Sequence, residues 1–571
     1  MKHFNHIFPL CLIALCGAVF AACSDDEEVS NAAATLPATD GSGETNAPEW
    51  VKIETYSGGE AGTAIDRTSL AFEQPMPAVE ELGLLSQFKR GERMFEANFV
   101  SGHSSETSYS GLGPVYIRTS CIACHPGYGR SYRVDKFNSF EDGNGYLLTL
   151  CDENWKPLPQ FTGMLQTRAV APYKAPFDES GLTIEWRTTT DEHGNTFPDG
   201  ETYVLRYPVV TVDKSKILLQ DNLLEVVNCN IEGTIGIPGT GLLDAIPDDS
   251  IRVQYEREVA RGYCVPLPLN TIVEEDGNAY LGRWTYGNTR AWLGNGPGAN
   301  AIWNITNVNR SDRRYLYATK EWVAKMEEMG LPVDGFDVAP GATNSLEAEM
   351  DNDDYQAFMV WHRGLAIPAA RDLDQPEVQR GREVFYELGC QACHRPSWTT
   401  GNAADAMRRI PKLEGEAGKQ LAEKLANQTV WPYTDFLKHN LDLLGGGMRT
   451  NACRTTPLWG KGLQTICTGR DDKMHDLRAS SYEEAIMWHG HSPKSDSYKS
   501  AQRPTSPGCK SPKRSTSTWD TRTATTPRYT WQARTARAVR RTSSQPRCKA
   551  QDYAWDFTPR PTSWTSVSVS A

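Results

Sequence analysis

Two copies of one pentapeptide constrain this chain more than any other feature: Cys121-Ile122-Ala123-Cys124-His125 and Cys390-Gln391-Ala392-Cys393-His394. Two thiols three positions apart can add to the two vinyl groups of one haem, and the histidine that follows then falls under the iron as its proximal ligand. A disulfide, a redox-active pair or two halves of a four-cysteine zinc site would also use these cysteines. None of the three needs a histidine at the same offset in both copies. The motifs therefore predict two covalently bound haem c groups with iron. Cys121, Cys124 and His125 would hold one, and Cys390, Cys393 and His394 the other.

Covalent haem attachment belongs to an exported chain, and the N-terminus agrees. Lys2 and His3 precede the apolar run Ile7 to Phe20, which ends in Phe20-Ala21-Ala22-Cys23. A small-residue pair before a cysteine, at the end of a short apolar run, is similar to a lipoprotein processing site. Residues 1–22 read as a signal peptide, with Cys23 as the lipidated first residue of a chain anchored to the outer membrane of a Gram-negative bacterium. An ordinary secretory signal with a bystander cysteine is the alternative. Residues 23–49 read as a flexible linker. Among the remaining body cysteines, Cys453 with Cys467 could close a local disulfide loop.

The formal charge of −12 argues against a nucleic-acid partner. It hides an asymmetry, because residues 501–571 hold thirteen Lys and Arg against three Asp, about +10, and leave about −22 for the rest. This last stretch has no Leu, Ile or Glu and cannot bury enough apolar surface to fold alone. It reads as a basic disordered or out-of-frame tail.

Each motif has a similar lead-in, Arg90-Gly91-Glu92-Arg93-Met94-Phe95 before the first and Arg380-Gly381-Arg382-Glu383-Val384-Phe385 before the second. Both read as amphipathic helices whose glycine permits close backbone approach and whose Phe packs on a haem face. Between the motifs, β-prone runs such as Tyr203–Tyr207 and Pro208–Val212 alternate with Gly, Pro and Asp turns. Helical patterns cover Asp312 to Met329, Asp354 to Leu365 and Ala417 to Asn427. The predicted fold is mainly α, with two cytochrome c-like haem modules. Residues 50–374 form the first module, with a large mixed α/β and loop-rich insertion, and residues 375–500 form the second.

Several further blocks carry a family resemblance: Gly111-Leu112-Gly113-Pro114, Gly241-Leu242-Leu243-Asp244-Ala245-Ile246-Pro247, Trp431-Pro432-Tyr433-Thr434-Asp435-Phe436-Leu437-Lys438-His439, Thr456-Pro457-Leu458-Trp459-Gly460-Lys461-Gly462-Leu463 and Met474-His475-Asp476-Leu477-Arg478-Ala479. Glu483-Glu484-Ala485-Ile486 and Trp488-His489-Gly490 follow. Over roughly Pro75 to Lys494 the chain resembles the di-haem c-type oxidoreductases related to bacterial di-haem cytochrome c peroxidase. It departs from them at Leu477, where the family has Gly, at Asn440-Leu441, where it has Asp-Met, and after His489, where the basic tail replaces a closing helix.

The resemblance implies a peroxidase-like enzyme, in which one haem meets a peroxide and the other relays electrons from a small cytochrome, a quinol-linked donor or a small-molecule reductant. It implies Met474 as sixth ligand of the second haem, with the adjacent His475 competing, and so leaves the haem under His125 as the peroxidatic centre. A thioether would raise the potential of the second haem. Candidates for the distal acid or base are Asp244 and, upstream, Glu232, although a carboxylate at a helix start is commonly a cap. His439 and His362 are distal candidates or satisfied helix histidines. The alternatives are an electron-transfer cytochrome with both irons six-coordinate, and a surface binder of haem or iron, against which covalent attachment argues.

Overall fold

The computed structural model describes residues 49–490 apart from 103–107, 192–193, 198–199, 222, 263–265, 275, 340–347, 442 and 444–451. The signal peptide, Cys23, the linker up to residue 48 and the basic tail lie outside the described residues. Regular structure is mostly helical and joined by long loops, and every sheet among the described residues has two strands. No helix there is long and apolar enough to cross a membrane.

In chain order, β1 (Thr63–Ala64) precedes α1 (Leu85–Glu96). The insertion contributes β2 (Leu147–Cys151), β3 (Leu182–Thr189), β4 (Leu205–Val212) and β5 (Asn228–Glu232). Then come α2 (Thr240–Asp244), α3 (Asp248–Arg261), α4 (Asn352–Arg363), β6 (Ile367–Pro368) and α5 (Pro376–Glu387). The last elements used below are α6 (Gly415–Lys424), β7 (Lys438–Asn440), β8 (Ala452–Arg454) and α7 (Tyr482–Gly490).

The first lead-in lies inside α1, whose buried positions Phe88, Gly91, Met94 and Phe95 form one stripe. That stripe packs across α4, whose N-terminus is capped by the Asp351 side chain accepting from the Asp354 N–H at 2.8 Å. A Cβ on Gly91 would lie 2.2 Å from the Ala357 carbonyl oxygen and 2.6 Å from Trp361 Cβ. The close approach expected of this glycine is therefore real. Arg90 pairs with Asp354 at 2.7 Å beside the crossing.

In the insertion, β3 and β4 pair antiparallel from Leu182↔Val212 to Thr189↔Leu205, and β2 pairs antiparallel with β5. The two β-prone runs expected at 203–212 thus join into one strand. Their inward residues, with Phe161, Phe177 and Trp322, build a separate apolar cluster. The helix expected from Asp312 begins only at Lys320, because Thr319 accepts from the Trp322 N–H and caps it there. The helix expected to reach Asn427 ends at Lys424, and Asn427 turns to φ 55°.

The main core runs across the expected module boundary at 374–375. Phe88, Phe95 and Leu242 share one buried cluster with Trp361, Trp398, Leu421, Phe436 and Leu463, and β1 pairs in parallel with β6. The segment after β8 returns to the first module: Tyr132 Oη donates to the Thr468 carbonyl, the Gly233 N–H to the His475 carbonyl at 2.8 Å, and Tyr146 Oη to the Asp476 carbonyl at 2.9 Å. Cys453 and Cys467 are not joined to each other, so the local disulfide they could form is not made. Cys467 sits instead with its sulfur 3.8 Å from the Thr68 carbonyl.

Candidate haem centres

The first pentapeptide forms a tight turn, with the His125 N–H donating to the Cys121 carbonyl at 3.1 Å. His125 Nδ1 lies 3.0 Å from the Gly129 carbonyl oxygen. A carbonyl only accepts, so Nδ1 carries the proton and Nε2 keeps its lone pair for a metal. Burial lowers the His125 pKa to about 4, which keeps the ring neutral. Phe95 stands 6.1 Å from the His125 ring, 5.0 Å from Tyr128 and 4.5 Å from Trp361, centroid to centroid. This aromatic wall is the use of the lead-in Phe.

A cleft with about 590 Å³ of empty volume opens beside this turn, between Ile235 and Gly236 on one side and Trp459 to Lys461 on the other. Its walls are aromatic and cationic, with Phe72, Trp284, Arg130, Arg454 and Lys461 among its lining. Arg130 is fully engaged: it donates to the Thr234 carbonyl at 2.9 Å, to Tyr286 Oη at 2.9 Å and to the Met474 carbonyl. Arg454 and Lys461 are different. Among the described residues neither pairs with a carboxylate, and Arg454 Nε and Nη1 are buried without a partner. Burial brings the Lys461 pKa down to about 7. A buried arginine and a half-buried lysine, both without a carboxylate partner among the described residues, are costly unless an anion meets them.

The second pentapeptide repeats the arrangement. His394 Nδ1 lies 3.0 Å from the Tyr433 carbonyl oxygen, and burial lowers its pKa to about 4. Phe385, from the second lead-in, meets the Tyr433 ring edge-on at 5.6 Å. The ring that faces His394 is that of His489 on α7, at 6.3 Å between centroids with 49° between planes. His489 Nδ1 donates to the Ala485 carbonyl one turn back at 2.7 Å. Beside this centre, Cys393, Asp435 and His439 are close enough together to hold a metal ion. The His439–Asp435 bond of 2.7 Å already occupies two of these groups, and the haem reading claims Cys393.

The haem fit rests on these features together. None of the four motif cysteines is held in a disulfide, both motif histidines have Nδ1 held by a carbonyl, and the first cleft offers cations suited to propionate carboxylates. Residues 304–506 match the model of a family described as "Di-haem oxidoreductase, putative peroxidase". Over that stretch the chain is similar to the di-haem oxidoreductase family. No curated protein and no solved structure matches the chain.

The di-haem oxidoreductase match covers the second motif and the segment from His475 to His489, and implies haem as cofactor. It begins after the first motif, Glu232 and Asp244. Asp244 proves to be a structural anion. Its carboxylate is 1% exposed, pairs with Arg363 Nη1 at 2.9 Å and accepts from the Leu293 N–H at 3.2 Å. Arg363 also clasps Glu414 at 2.9 Å. This buried network leaves Asp244 no freedom as a distal acid.

Glu232 closes β5 and accepts from Asn230 Nδ2 at 2.9 Å. It bears electrostatically on Tyr286 and Cys453, while the cleft lining begins three residues later at Ile235. His362 is buried on α4 with Nδ1 unpartnered, and burial with the nearby His125 lowers its pKa to about 3. His475 is buried against Tyr286, at 6.1 Å edge-on, with Nε2 lacking a hydrogen-bond partner. His439 is a satisfied histidine: despite burial, Asp435 raises its pKa to about 11.

Met474 does not follow the expected placement. Its carbonyl receives Arg130 from the first module, and its side chain packs with Met487 and Trp488 in a small apolar cluster. Met474 and Leu477 both adopt positive φ, 69° and 63°. The left-handed turn at Leu477 accounts for the glycine that the family carries there. Sequence reasoning passed over His489, Lys461, Arg454 and Tyr286. His489 and Lys461 had a visible signal, standing in the Trp488-His489-Gly490 and Thr456 to Leu463 blocks, while Arg454 and Tyr286 had none.

Proposed function

We propose that this chain is an exported di-haem c-type oxidoreductase that reduces a peroxide at the haem of the first motif, with electrons relayed through the haem of the second. The surroundings of His125 support this reading, because a cleft lined by Arg454 and Lys461, neither paired with a carboxylate among the described residues, opens beside a histidine whose Nδ1 is held by the Gly129 carbonyl. Thioether bonds from Cys121, Cys124, Cys390 and Cys393 would fix the two groups. Haem iron, where bound, supplies one-electron redox chemistry and a coordination position for the oxidant.

Reduction of a hydroperoxide to water and an alcohol consumes two electrons and two protons, and the chain must deliver the protons. Tyr286 and His475 are the groups suited to this. Tyr286 Oη accepts from Arg130, so its own proton points elsewhere. Burial holds His475 neutral, with a pKa lowered to about 4, so at neutral pH it can serve only as a transient relay for a proton and not as its store. Arg454 and Lys461 would hold propionates and keep the first haem oriented. Anchoring at Cys23, and a small cytochrome, quinol-linked or small-molecule donor, are part of the same proposal and rest on the sequence.

The test is peroxide consumption by the purified holoprotein under a reduced artificial donor. The expected result is turnover that His125→Ala abolishes. Two reducible haems without peroxide consumption would instead favour the electron-transfer reading.

A further inference from the structure

We infer that His489, and not Met474, is the sixth ligand of the second haem, which is then ligated by two histidines. The inference rests on the di-haem reading and concerns a residue to which that reading gives no role.

The geometry around His394 carries it. Two imidazoles bound trans to one metal, each through a ring nitrogen at about 2 Å, hold their centroids roughly 6 Å apart. The His394 and His489 rings stand at 6.3 Å. Other ring pairs in the molecule reach this spacing too, so it is the spacing together with the orientation of both rings that carries the assignment.

Tautomers point the same way. His394 Nδ1 donates to the Tyr433 carbonyl and His489 Nδ1 to the Ala485 carbonyl. Each ring is thereby fixed with Nε2 unprotonated, the form in which imidazole binds iron. The Ala485 bond spans one helical turn, so α7 itself aims the ring. His489 is exposed and so accessible to a ligand.

Met474 has neither feature. Its side chain is packed with Met487 and Trp488, and its backbone is tied to Arg130 in the first module. A thioether raises haem potential relative to a second imidazole, so the assignment places the second haem lower than a sulfur ligand would.

The experiment uses the mature holoprotein with haem content fixed first by intact mass. Wild type should carry two haems, with no sulfur–iron charge-transfer band and with a bis-imidazole low-spin signal in electron paramagnetic resonance. His489→Ala should convert one haem to high spin and add one equivalent of carbon monoxide binding per chain after reduction. Met474→Ala should leave spin states and carbon monoxide stoichiometry unchanged. His489→Met guards against a misfolded alanine variant: it should restore a low-spin haem, raise one potential and introduce the sulfur–iron band. The assignment is overturned if Met474→Ala, rather than His489→Ala, creates the high-spin haem, or if His489→Met leaves spectrum and potentials unchanged. Wild type lacking two haems would overturn the di-haem reading and the assignment with it.

Discussion

Asp244 has two obligations that exclude a third. Its carboxylate neutralises Arg363 in a site where both side chains are under 4% exposed, and it also anchors the Leu293 N–H. Removing one member of a buried pair leaves an uncompensated charge, which costs about 3–5 kcal/mol. Asp244→Asn should lower unfolding stability by that order in denaturant titrations, while the folded fraction keeps its haem spectra. A distal acid would show the reverse, an altered peroxide reaction at near-native stability. Lys461 is the opposite kind of residue, a half-buried amine without a carboxylate partner among the described residues. Lys461→Met should lower the potential of one haem, read by spectropotentiometry, because a nearby positive charge favours the reduced state. The proposed haem-attachment residues stand out in the sequence because cysteine spacing is covalent chemistry, independent of the fold. Asp244 misled because an acid in a Leu-Leu-acid-Ala-Ile block looks the same whether it faces a cleft or an arginine 119 positions later.

The crossing of α1 and α4 is the element on which the first centre is built. It brings Phe95, Trp361 and Tyr128 together beside His125 through a contact that only a glycine at position 91 permits. Gly91→Ala drives its Cβ into the Ala357 carbonyl, and a core overpacked in this way loses about 1–3 kcal/mol. The expected outcome is a lower thermal midpoint together with a perturbed spectrum of one haem. An unchanged spectrum at reduced stability would detach the crossing from the haem centre. Both lead-in helices were visible in the sequence because their apolar stripes repeat with helical period. Their packing partner was not, since α1 and α4 lie more than 250 positions apart and nothing local in either names the other. The same limit explains the missed cations: Arg454 and Lys461 look like ordinary surface charges until the chain returns on itself.

At the scale of the whole molecule, the expected two modules share a core and are stitched together by the segment from Thr468 to Arg478. His475 sits at that seam, its carbonyl held by the Gly233 N–H and its ring buried beside Tyr286. Burial lowers its folded pKa to about 4, Arg478 and Arg130 add to the shift, and Asp476 opposes it. The ordinary histidine value is about 6.5. A base whose folded pKa is depressed binds protons more readily when unfolded, so stability is whole above pH 6.5 and is lost as pH falls towards 4. At about 1.4 kcal/mol per pH unit, the loss traceable to this ring approaches about 3 kcal/mol at pH 4. His475→Asn removes the titration while keeping a polar side chain. The difference in unfolding free energy between wild type and this variant should therefore be constant above pH 7 and shift against wild type below 6.5. Because the ring lies on the seam, hydrogen exchange at acid pH should rise first in residues 468–478 and in the loop around Thr234, ahead of α1 and α4. A pH-independent difference would mean that the ring has the same pKa folded and unfolded, whereas a difference that shifts against wild type above pH 6.5 would mean that Asp476 holds the ring protonated at the seam.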